Sequence, residues 1–239
     1  MKKKAIKHIP QFGPTCGIYC ISMVLEAFNS KKHHLPVYGQ KLAHKLLILA
    51  LDKKMTNIGE FFNSYDLAKF INVINEVIPS IEFKADVLEF NDLKSMKKQI
   101  TGSLNSPNTY IIFPILPCKI LTSNKTRKMD IAHWIILEKA NSLYISGLYS
   151  QKNKLGSKIR LLRFKKLFKR NQLLNRGFNW KRYYALTKPK NKKRPILKTV
   201  YQNSKKHLTE IKVMKDEDCF INYDNLKGKM IVIQKIEIE

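Results

Sequence analysis

The chain has 239 residues, 44% of them hydrophobic, enough for a single domain over 1–239 with a sizeable core. Its 45 Lys and Arg against 18 Asp and Glu leave a net charge of +27, a cationic surface suited to an acidic protein, nucleic acid or an anionic membrane. Four cysteines at 16, 20, 118 and 219 fit neither a disulfide framework nor paired zinc spacing, and no apolar run reaches the roughly 18 residues that cross a bilayer.

The charge is uneven. From Lys139 to Thr209 there is no Asp or Glu, while 21 Lys and Arg fall in that span. Free thiols and the lack of a signal-peptide pattern behind Met1 predict a soluble, cytoplasmic protein, or one working in a host cytosol if secreted by a bacterium.

In chain order, Gly13 and Pro14 punctuate a loop, Thr15 is a good N-cap, and apolar residues at 18, 21, 24, 25 and 28 predict a helix from Cys16 to Asn29. His33 and His34 follow in a polar loop with no further ligand at metal spacing. Gln40 to Leu51 reads as a second helix. A third carries Leu67, Ile71, Ile74 and Ile78 on one stripe and stops at Pro79. Ile81 to Phe90 alternates as a strand does, Asp92 to Ile100 reads as a short helix, and Ser103 to Asn108 as a loop. From Thr109 the texture turns to β: 110–113, 132–137, 142–145, 158–164 and 230–238. Helices first and strands later predict an α+β fold. The segment 175–208, rich in Lys and Arg with Trp180, Tyr183 and Tyr184 interleaved, reads as an insertion or basic surface loop.

The chemistry centres on Gln11-Phe12-Gly13-Pro14-Thr15-Cys16-Gly17. A cysteine in the first turn of a helix meets unpaired N–H groups and the positive end of the macrodipole, which favour thiolate. The Gln11 amide, beside the Cys16 N–H, is placed to receive a developing oxyanion. Cys20 reads as a small buried hydrophobe. Acyl transfer also needs a proton shuttle. Among six histidines, only His133 begins an apolar strand. For a third group that orients the imidazole, the following strand offers Ser146, Gln151 or a backbone carbonyl. The arrangement calls for no metal or organic cofactor.

Together these residues resemble the actin maturation protease family, cysteine peptidases similar to C39 and papain-like enzymes. Residues 11–17 look like its nucleophile loop, Gly59-Glu60-x-Phe62 like a second block, and Ala132-His133-Trp134 like its histidine strand. Ile145 to Arg160, with Gly147 and Gln151, follows loosely, and Leu226-x-Gly228-Lys229-x-Ile231-Val232 is similar to its closing strand. The resemblance implies a papain-like or C39-like fold with the nucleophile helix packed on an antiparallel sheet. It also implies aminopeptidase-like removal of an N-acetylated residue from immature actin. The Lys bias and the missing proline-rich leader suggest a compact bacterial relative. Two alternatives stand beside it: an effector protease acting on another host protein such as a lipidated small GTPase, and a catalytically inactive binder of nucleic acid or anionic lipid.

Overall fold

The apolar stripe beginning at Ile18 becomes α1 (Cys16–Phe28), buried from Gly17 to Phe28 except at Glu26. A helix apolar on every side must be covered on every side. It is wedged between α2 (Gly39–Asp52) and the strands of the main sheet. The computed structural model describes residues 5–29, 37–78, 81–116, 120–122, 125–127, 132–150, 159–174, 178–179, 194–211 and 220–236. His33, His34, Pro79, Gln151, Trp180, Tyr183 and Tyr184 lie outside them.

The main sheet has six antiparallel strands in the order β1-β10-β2-β5-β6-β7. They are β1 (Phe83–Glu89), β2 (Thr109–Ile115), β5 (His133–Ala140), β6 (Tyr144–Tyr149), β7 (Ile159–Arg163) and β10 (Lys229–Lys235). Two short ribbons pair β3 (Ile120–Thr122) with β4 (Lys125–Arg127), and β8 (Phe178–Asn179) with β9 (Phe220–Ile221). The sheet carries a core on each face. Trp134 and Ile136 of β5 join α1, α2 and α3 (Ser64–Val77) on one side. Ile135 and Leu137 join α4 (Leu93–Leu104) and α5 (Phe164–Gln172) on the other. Strands apolar on both faces, such as β2, read as unbroken hydrophobic runs for this reason.

The α+β architecture expected from the sequence is thus the observed one, with the helix that opens at Cys16 packed on an antiparallel sheet. Of the elements that differ from their expected extents, three have a local cause in the sequence. A capping box between Asp92 and Ser95 starts α4, which runs on through Leu104 into the expected loop. Asn141 Oδ1 accepts the N–H groups of Leu143 and Tyr144, so 141–143 is a turn and β6 begins later than expected. Within the Lys-rich segment 175–208, Pro195 opens a helix, α6 (Pro195–Ile211), rather than a surface loop. Its Ile196, Val200 and Ser204 are buried.

Candidate active site

The head of α1 departs from the expected cap. Thr15 is buried, but its hydroxyl donates to the Phe12 carbonyl at 2.8 Å and caps no helix N–H. The first-turn donors are left for the thiol instead: the N–H groups of Cys16 and Gly17 turn toward the Cys16 sulfur. The N–H of Trp134 does the same from β5. The carbonyl of Trp134 accepts the Cys20 thiol at 3.5 Å, one helical turn further on. The start of β5 therefore lies along the first two turns of α1, and His133 is the residue immediately before this contact.

His133 is the first residue of β5, 3% exposed, and pairs with Ile115 of β2. Its neighbours are fixed on both sides: Ala132 N–H donates to the Tyr223 hydroxyl at 3.1 Å, and the Trp134 indole N–H donates to the Phe61 carbonyl at 2.8 Å. Gln11 is pinned beside the loop that leads into α1. Its backbone N–H donates to the Ser150 carbonyl at 2.7 Å, and Ser150 Oγ donates to its Oε1 at the same distance. Its Nε2 donates one hydrogen to the Gly13 carbonyl at 2.7 Å. Behind the loop, Leu197 and Val200 of α6 stand against Gly13, and the Arg194 guanidinium lies 4.1 Å from the centre of the Phe12 ring.

The electrostatics differ from the expected lowered thiol. Burial pushes the Cys16 thiol up to about 11, against the three N–H groups that pull it down, and the charge of Glu60 adds to the rise. Burial lowers His133 to about 4. Both shifts favour uncharged forms at neutral pH, so desolvation outweighs the helix macrodipole. Ser146 does not serve the histidine: it pairs with Lys139 and Leu161, toward the opposite end of β5 from His133.

Two residues of this region were not singled out by the sequence reading. Ser150, the anchor of Gln11, carries no local signal. Glu60 stands in the Gly59-Glu60-x-Phe62 block, and its buried carboxyl next to a cysteine was detectable only through the fold. Among the described residues, no three His, Cys, Asp or Glu side chains gather as a metal site, and no helix is long and apolar enough to cross a membrane.

The strand that opens at His133 thus lies along the helix that opens at Cys16, on one face of an antiparallel sheet. The family follows from the sequence itself: residues 6–137, more than half of the chain, match the family described as actin maturation protease-like, C-terminal domain, and the chain belongs to that family. No curated protein matches the sequence. Among solved structures it is similar to a crystal structure of a double glycine motif protease from an AMS/PCAT transporter in complex with the leader peptide. That similarity has 14% identity and a TM-score of 0.40, and covers 69% of this chain and 84% of that one.

Proposed function

We propose that the protein is a cysteine peptidase in which Cys16 is the nucleophile, His133 the proton shuttle, and Gln11 an oxyanion donor. The observation that carries this reading is the Cys16 sulfur facing the N–H of Trp134, the residue that follows His133. The Cys16 proton passes to the imidazole as sulfur attacks a peptide carbonyl. Negative charge moves onto the carbonyl oxygen, where the Gln11 amide receives it. His133 then protonates the leaving amine, the C–N bond breaks, and a thioester remains. Water, giving its proton to His133, hydrolyses the thioester and restores the thiol.

Because both groups rest uncharged, the charge separation is made with substrate in place, when backbone N–H groups stabilise the thiolate and bound substrate excludes water. We further read the substrate as a protein with an acidic N-terminus, actin or a similar target, cut near that end. Beside Gln11 lies a groove of about 360 Å³ whose lining includes Lys7, His8, Arg194 and Phe12. Its one carboxylate, Glu26, is engaged by the Gly39 N–H. The excess of cations there and over the chain supports an acidic partner.

The test is to incubate the full chain with N-acetylated immature actin and, separately, with cell lysate, and to map new N-termini. Cleavage that Cys16→Ala abolishes without unfolding the chain is expected; cleavage that persists in that variant rejects the assignment. Gln11→Ala should lower turnover by about 10²–10³-fold, since it removes one oxyanion donor, and an unchanged rate removes Gln11 from the site. New termini on another protein, with actin untouched, reassign the substrate while leaving the chemistry intact.

A further inference from the structure

The turn at 56–60 holds a carboxyl that this chemistry does not use. Glu60 is 6% exposed, and its Oε2 accepts the Ile58 N–H at 2.9 Å. The Thr56 hydroxyl donates to the Glu60 carbonyl at 2.7 Å and accepts the Gly59 N–H at 2.9 Å. The turn is wound tightly on itself, and its two sides grip different parts of the site. On one side Gly59 presses on the residue before the cysteine: a Cβ at 59 would stand 2.5 Å from Thr15 Cγ2. On the other, the Phe61 carbonyl takes the indole N–H of Trp134, the residue after the histidine. Glu60 stands between these two grips.

We propose that Glu60 is a positioning residue for the Cys16–His133 pair, holding through the 56–60 turn the placement of Thr15 against Trp134. The proposal rests on the peptidase reading above. An amide would accept the same hydrogen bond without the desolvation that a buried carboxylate suffers, so the choice of an acid beside a nucleophile points to function. Burial raises Glu60 to about 7, and its charge, when present, opposes ionisation of the Cys16 thiol. On α1 the titratable side chain that the Glu60 charge reaches is Cys16. From α2 the turn meets the apolar Leu47.

The experiment needs no substrate: alkylation of Cys16 by iodoacetamide, followed by mass mapping across pH, in the full-length chain, Glu60→Gln and Glu60→Ala. Glu60→Gln keeps an oxygen for the Ile58 N–H and removes the charge, so the pH of half-maximal alkylation should fall below that of the wild type. Glu60→Ala removes the charge and the grip together. The thiolate then loses its fixed N–H partners, and the midpoint should lie above that of Glu60→Gln. A Glu60→Gln midpoint equal to the wild type overturns the proposal, even if Glu60→Ala fails to fold. So does a folded Glu60→Ala whose midpoint matches that of Glu60→Gln. Failure of the peptidase reading shows elsewhere, as cleavage surviving Cys16→Ala.

Discussion

Gly59 shows how little room there is beside Thr15, at the head of α1. Its φ of +103° is a conformation that side chains rarely adopt, and a Cβ there would also lie 2.8 Å from Leu47 Cδ1. Leu47 can swing aside, but Thr15 is held by its bond to the Phe12 carbonyl. Gly59→Ala should therefore cost on the order of 3 kcal/mol, part backbone strain and part overlap, read by urea denaturation. Adding Thr15→Ser removes the struck methyl and should recover only the overlap part. Full recovery would mean that the backbone angle is unstrained. The cysteine, the histidine and the glutamine of the proposed site stood out in the sequence because each stands at a local signal: a helix start, a strand start, a Gly-Pro loop. It could not reveal that the thiol rests protonated, since that depends on burial by residues far along the chain.

At the scale of elements, the periodic segments were readable wherever one side chain pattern decided the outcome, as in Leu67, Ile71 and Ile74 of α3 or the unbroken run of β2. The pairing of elements was not. Strand β1 is an edge of the main sheet, and an open edge invites pairing with other chains. Here α3 closes it with two asparagines one turn apart. Asn72 accepts the Ala85 N–H at 2.8 Å and donates to its carbonyl at 3.0 Å, and Asn75 makes the same pair of bonds with Phe83. Two amides thus stand in for the missing neighbour strand. Asn72→Ala and Asn75→Ala should each cost about 1–2 kcal/mol in urea melts, as backbone groups lose partners near a partly wetted edge. The double variant should self-associate, visible as increased light scattering. A monomeric double variant with wild-type stability would show that the edge is guarded by something else.

For the whole molecule, two buried groups of the site tie folding to pH with opposite signs. Glu60, raised from 4.5 to about 7, keeps its proton in the folded chain over an interval where the unfolded chain has lost it. Its contribution is full in acid and is lost as pH rises from about 4.5 to about 7. His133, lowered from 6.5 to about 4, stays uncharged in the folded chain where the unfolded chain binds a proton. Its effect runs the other way: stability is gained as pH rises from about 4 to 6.5. Each shift corresponds to roughly 3 kcal/mol, so across the shared interval the two largely offset one another. Substitution separates them. Glu60→Gln should match the wild type below about pH 4.5 and exceed it by up to roughly 3 kcal/mol above pH 7. His133→Gln should match the wild type above pH 6.5 and exceed it near pH 4. The self-repulsion of a +27 chain is common to all three proteins and cancels in these differences. Urea melts at fixed ionic strength test both, and parallel stability curves for the wild type and Glu60→Gln would mean that the carboxyl is solvated rather than buried.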